Sequence, residues 1–184
     1  GVGRVDAVDF SGNGEPTLHP RFPRLAEAAA RFVEEAGLAS GVGLFTNSTA
    51  LGLKGVAGAL RWLEYVEAKL DTVDPGKFAR INAPHSSVKL QSVVEGLAGL
   101  RRSFGGRLVV QVMLVEYGGV SNFTEGDARA MAEVLRRIEP DAVHLHTAYR
   151  TPRLGGVARA PPEAMERYAE ELRKYGLKVS VFRE

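Results

Sequence analysis

Asp9-Phe10-Ser11-Gly12-Asn13-Gly14-Glu15-Pro16-Thr17-Leu18-His19-Pro20 joins the end of one predicted strand to the start of a predicted helix. It sets two glycines and a carboxylate where a (β/α) barrel builds its binding face, at the C-terminal ends of its strands. Before it, Val5 to Phe10 reads as a short buried strand. After it, Phe22, Leu25, Ala29, Phe32 and Val33 fall on one side of a helix predicted from Phe22 to Glu35, which Gly37 ends.

The same switch between a period of two and a period of 3.6 repeats along the chain. Strands are predicted over Val42 to Phe45, Tyr65 to Leu70, Leu108 to Val115, Ala142 to Thr147 and Lys178 to Phe182. Helices are predicted over Leu51 to Leu63, Val88 to Ser103, Asn122 to Ile138, with Thr124 as N-cap, and Pro162 to Tyr175. Strand followed by helix, with short connections, predicts a parallel α/β sheet. Six strands and five helices fall short of a full eightfold barrel, and the pattern fits either a partial TIM-like barrel or an open doubly wound sheet. A single domain over 1–184 is expected, and a bare first strand at the sheet edge would favour a partner or a dimer.

With 184 residues, 45% of them hydrophobic and 25% charged, the chain can bury a sizeable core and does not read as disordered. The net charge of +2 comes from scattered Lys and Arg, not from a basic tail. The absence of cysteine excludes disulfides, zinc fingers and any cysteine-held cluster carried by this chain. No run of about 18 apolar residues marks a membrane span and no signal-peptide pattern opens the sequence, which makes the cytoplasm the default expectation.

Side chains alternate along a strand, so Glu67, Lys69 and Asp71 should line one face while Ala68 and Leu70 meet helices. His144 and His146 repeat this on their strand, with Val143 and Leu145 outward, as do Gln111 and Met113 on theirs. Asn47 sits just past the end of its strand. Polar groups converging from four strands read as a lined site, since each costs roughly 1–3 kcal/mol if buried without a partner. An internal ion network around Lys69 is the plainer reading of that strand. The two histidines could serve a metal-dependent hydrolase, but spacing marks no third ligand, and no metal site is assigned.

The glycine-rich turn does not complete a Gly-x-Gly-x-x-Gly fingerprint, because Thr17 stands at the third place. It also lacks the lysine of a phosphate loop. What it offers is Glu15 fixed between Gly14 and Pro16, beside backbone that a ligand can approach closely. That suits a small zwitterion, whose ammonium the carboxylate would accept while backbone N–H groups or a lysine meet its carboxylate. A purely structural turn is the alternative.

Ser11-Gly12-Asn13-Gly14-Glu15-Pro16-Thr17-Leu18 resembles the Gly-Gly-Glu-Pro motif after the second core strand of radical S-adenosylmethionine (radical SAM) enzymes, in a variant with an inserted Asn. Thr46-Asn47 and Lys69-Leu70-Asp71 are similar to motifs that close the next two strands. Phe78, Ile81-Asn82 and Pro84, then Asn122, then Thr147 to Pro152 with Arg150, resemble later parts of the Fe-S oxidoreductases of this type related to wyosine-tRNA synthesis. The resemblance implies a partial TIM-like (β/α)6 barrel with parallel strands, its first β/α unit missing, in which Gly12, Asn13, Gly14, Glu15 and Pro16 hold the methionyl end of S-adenosylmethionine. Asn47, Lys69 and Asp71 would lie along its ribose and carboxylate, and Gln111, Met113 and Asn122 nearer the adenine. Lys69 replaces the usual Ser.

The family holds a [4Fe-4S] cluster on a Cys-x3-Cys-x2-Cys loop that this chain lacks. The implied function is therefore the core of an enzyme that generates a 5'-deoxyadenosyl radical only with a cluster supplied from an N-terminal segment, and that is inactive without it. The alternative is a non-catalytic barrel remnant that binds a nucleotide-like ligand or a protein partner. A tRNA nucleotide, a peptide and a small metabolite all remain open as substrates.

Overall fold

The computed structural model describes residues 5–37, 41–149 and 155–183. Strand and helix alternate as β1 (Val8–Phe10), α1 (Phe22–Glu35), β2 (Val42–Thr46), α2 (Lys54–Ala59) and β3 (Tyr65–Lys69). A helical turn α3 (Pro75–Lys77) and a π-helical turn over Phe78–Asn82 precede α4 (Leu90–Ser103) and β4 (Arg107–Tyr117). The chain continues through β5 (Val120–Ser121), α5 (Glu125–Ile138), β6 (Ala142–Thr147), β7 (Val157–Arg159), α6 (Pro162–Lys174) and β8 (Val179–Val181).

The strands are ordered β1-β2-β3-β4-β6-β8, and every neighbouring pair on that path is parallel. This is the predicted (β/α)6 arrangement. Its end strands β1 and β8 do not pair with each other, so the barrel stays open. The predicted helix from Leu51 shortens to α2 followed by a 3-10 turn at Leu60–Trp62. Gly52, Gly55 and Gly58 in that stretch lower its helix propensity.

Register and pleat divide the side chains cleanly. Leu44, Val66, Ala68, Leu108, Val110, Val112, Leu114, Val143 and Leu145 are fully buried on one face of the sheet. They share a core with Ala26, Leu97, Met131, Leu135 and Leu172 from the covering helices. Each large side chain so buried contributes roughly 1.5–3 kcal/mol, which makes this layer the main source of stability. The opposite, concave face carries Phe45 at 38% exposed and Phe182 at 40% exposed, so solvent reaches it. Polar residues of the strands collect there.

Local devices hold this frame. Thr124 caps α5 with a reciprocal capping box, its hydroxyl accepting from Asp127 N while the Asp127 carboxylate accepts from Thr124 N. Lys77 then bonds Asp127 at 2.6 and 2.7 Å and ties the π-helical turn to α5. At the far end of β4, Gly118 and Gly119 both take positive φ, which a two-residue hairpin into β5 requires. Among the described residues no helix is long and apolar enough to cross a membrane.

Candidate functional site

The turn after β1 is held by its own carboxylate. Pro16 starts a 3-10 turn over Pro16–Leu18, and Glu15 is its N-cap. Glu15 Oε1 accepts from Thr17 N at 3.1 Å, Thr17 Oγ1 at 2.5 Å and Thr46 Oγ1 at 2.7 Å. Its Oε2 accepts from Asn47 N at 2.6 Å. The carboxylate thus clamps the exits of β1 and β2 together, and Oε2 keeps capacity for one more donor. Thr46 was quoted in the sequence motif but not as a partner of Glu15; the two are 31 residues apart and meet only because β1 and β2 pair.

Beside this clamp opens a cleft of about 240 Å3 lined by Gly12, Gly14, Glu15, Asn47, Lys69 and Gln111. A Cβ at Gly12 or Gly14 would meet nothing within 4 Å, and neither residue has a positive φ. Nothing inside the protein requires glycine at these two positions. Both glycines line the cleft.

Lys69 also lines a second, larger cleft of about 590 Å3, with Arg80, Asn82, Met113, Val115 and Tyr117 among its walls. Its Nζ lies 3.5 Å from Asp71 Oδ2. The Arg80 guanidinium lies over the Tyr117 ring, 5.1 Å from the centroid. The π-helical turn delivers Arg80, Ile81 and Asn82 to this wall, and π-turns of this sort concentrate at functional sites. Asn82 donates to Asp71 Oδ2 at 2.7 Å, while its own Oδ1 is buried with no hydrogen-bond partner among the described residues.

Two expected ligand contacts are used by the protein itself. Asp71 is 5% exposed; its Oδ1 accepts from Met113 N at 2.8 Å and so extends the β3–β4 ladder beyond the last paired residue. Asn122 is 1% exposed and lines neither cleft. Its Oδ1 accepts from Val115 N, and its amide donates to the carbonyls of Asp71 and Met113. Asn122, expected nearer the adenine end of the cofactor, uses these hydrogen bonds to splice the ends of β3 and β4. Thr147 likewise donates to Leu114 O and accepts from Ala160 N. Arg150, with Thr151 and Pro152, lies outside the described residues.

Deeper in the concave face, Glu67 is the hub of a network that spacing did not reveal. It is 6% exposed and accepts from Gln111 Nε2 at 2.9 Å and from the Tyr65 hydroxyl. His144 Nδ1 lies 3.2 Å from its Oε2. Burial first, and then the hydrogen bond to Glu67, push the Tyr65 hydroxyl pKa well above the phenolic range. Burial pushes the His146 imidazole down and favours its neutral form, against a smaller upward pull from Glu67. The carboxylate that sequence spacing did not offer the two histidines is Glu67, on β3, one strand removed from β6 across β4.

With the geometry in place, comparison with known proteins is informative. No family model matches the chain. It is 27% identical over 149 residues to a UPF0026 protein of Methanocaldococcus jannaschii, covering 81% of this chain and 44% of that protein. The chain spans about half the length of the curated relatives it matches. A domain of pyruvate-formate lyase-activating enzyme from Bacteroides vulgatus superposes with a TM-score of 0.73 at 19% identity, covering 97% of this chain and 99% of that one. A radical SAM methyltransferase from Sphaerobacter thermophilus shares the fold as well, with a TM-score of 0.72 at 18% identity over 97% of this chain and 51% of that one. Streptococcus suis SuiB bound to S-adenosylmethionine gives 0.68 at 13% identity over 97% of this chain and 39% of that one. An archaeal TYW1 gives 0.62 at 14% identity over 92% of this chain and 50% of that one. The radical SAM likeness and the partial barrel expected from the motif at Gly12–Pro16 therefore hold at the level of fold.

Proposed function

We propose that this chain is a radical SAM core that binds S-adenosylmethionine across the mouth of its open barrel. The observation that carries the reading is the open turn at Gly12–Pro16, where glycines that nothing internal requires stand beside a carboxylate oxygen with hydrogen-bonding capacity left. Glu15 Oε2 accepts from the cofactor's ammonium, and the Lys69 ammonium meets its carboxylate. Lys69 walls both clefts, so a cofactor anchored at Glu15 extends past it toward the larger one, where Met113 and Val115 offer apolar surface for the adenine. Gln111 faces the same route and Asn47 presents its backbone there.

The cofactor, when bound beside a reduced [4Fe-4S] cluster, supplies 5'-deoxyadenosyl radical chemistry. The residues of this chain do not fit such a cluster, because it contains no cysteine. Its own contribution is to bind and orient the cofactor and to present the larger cleft to a substrate. Lys69 and Arg80 on that cleft suit an anion-bearing substrate such as a nucleotide of tRNA or a small metabolite.

Calorimetric titration with S-adenosylmethionine tests the reading. The wild-type chain binds one equivalent. Glu15→Gln weakens binding roughly 10- to 100-fold, the loss of one charge-assisted hydrogen bond of about 1.5–3 kcal/mol. Lys69→Met, at a half-exposed side chain whose removal leaves the fold intact, weakens it by a similar factor. Absence of binding, or binding untouched by both substitutions, refutes the proposal.

A further inference from the structure

The concave face holds a second cluster that the cofactor reading does not use. Glu67, His144 and His146 each offer one ligand atom, and these three atoms lie within 4.8 Å of one another. From this arrangement we infer that Glu67, His144 and His146 form a site for one divalent first-row transition-metal ion. The argument is independent of S-adenosylmethionine binding.

Ligand chemistry comes first. Two imidazoles and a carboxylate suit Zn2+, Fe2+ or Co2+, and three protein ligands leave positions open for water or a substrate atom. Ligand atoms about 2.0–2.1 Å from such an ion lie roughly 2.8–3.4 Å apart at octahedral or tetrahedral angles. Glu67 Oε2 and His144 Nδ1 already lie 3.2 Å apart. The ligand atom of His146 lies within 4.8 Å of both.

The surroundings are those of a built site. Metal-bound carboxylates and imidazoles are held in turn by outer partners. The Tyr65 hydroxyl and Gln111 Nε2 both donate to Glu67 and fix its orientation. Phe182 stacks on His146 at 4.6 Å and meets His144 edge-on at 5.0 Å, fixing the planes of both rings.

One atom separates this reading from a merely satisfied hydrogen-bond network. His146 Nε2 is buried and has no hydrogen-bond partner among the described residues. A buried ring nitrogen without a partner is costly, and a metal ion would satisfy it. Glu67 also walls the cleft at Glu15, so the ion would sit in the floor beneath that cleft.

The test uses the full chain, free of any affinity tag and stripped with chelator, titrated with Zn2+ by calorimetry and with Co2+ by visible absorbance. Wild type binds one ion per chain, and Co2+ gives ligand-field bands of a low-symmetry nitrogen and oxygen site. Gln111→Leu, which removes an outer partner, weakens Zn2+ binding about 10- to 100-fold. His146→Gln weakens it at least as much. His146 Nε2 has no hydrogen bond among the described residues to lose, so that variant is expected to fold, and circular dichroism checks it. Absence of stoichiometric binding to wild type overturns the site. Wild-type affinity in a His144→Gln/His146→Gln double variant also overturns it, since the ion is then held elsewhere. Neither result touches S-adenosylmethionine binding, which is read separately with Glu15→Gln.

Discussion

At the scale of single residues, Asn122 gathers three backbone groups from the ends of β3 and β4 into one buried amide. Asn122→Ala leaves Val115 N–H and two carbonyls without that partner, and should cost about 2–3 kcal/mol in urea unfolding with little change in m-value. Wild-type stability would mean that the ends of these strands are held by something else. Glu15 was legible in the sequence because its constraints are local: a glycine before it, a proline after it, a strand exit behind. The roles of Asp71 and Asn122 were not, because they arise where β3, β4 and the segment after β5 meet, 51 residues apart in the chain. Polar residue types at strand ends look the same whether they will face a ligand or bind backbone. Glu67 was read correctly as facing inward, but its partnership with His144 spans 77 residues and needs the order β3-β4-β6.

Elements were legible wherever periodicity ran long. Helix α1 has the predicted bounds, and α4 and α5 begin two and three residues later than predicted and end where predicted, because each shows an apolar stripe over several turns. Strand β4 overruns its predicted end at Val115 and continues to Tyr117. Its last residues pair antiparallel with β5 and β7, two strands of two and three residues that are too short to register as periodic. The hairpin between β4 and β5 depends on Gly118, whose φ is +58° and whose missing Cβ leaves room for the Arg80 guanidinium. Gly118→Ala should therefore lower stability by about 1–2 kcal/mol from backbone strain alone. Because Arg80 would be displaced from Tyr117, the reactivity of Tyr117 or its fluorescence should change in parallel. An unchanged melting temperature and an unchanged tyrosine signal would contradict this account of the hairpin.

Taken as a whole, the molecule is a stable shell with a wet inner face. Apolar residues buried under five helices hold the sheet, while the concave side, left open between β1 and β8, carries the carboxylates, lysine, glutamine and histidines that the strands turn toward one another. A core of this kind does not need those polar groups for its stability, which is why their convergence is read as function. Glu15 clamps two strand exits, and the proposal gives it a second role as the anchor of a zwitterionic cofactor. The most direct measurement is a crystal structure of the chain grown with S-adenosylmethionine. The account predicts the cofactor in the cleft at Gly12–Pro16, its ammonium within hydrogen-bond distance of Glu15 Oε2 and its carboxylate beside Lys69 Nζ. A clear map with that cleft holding only water, or with the cofactor seated elsewhere on the protein, would contradict it.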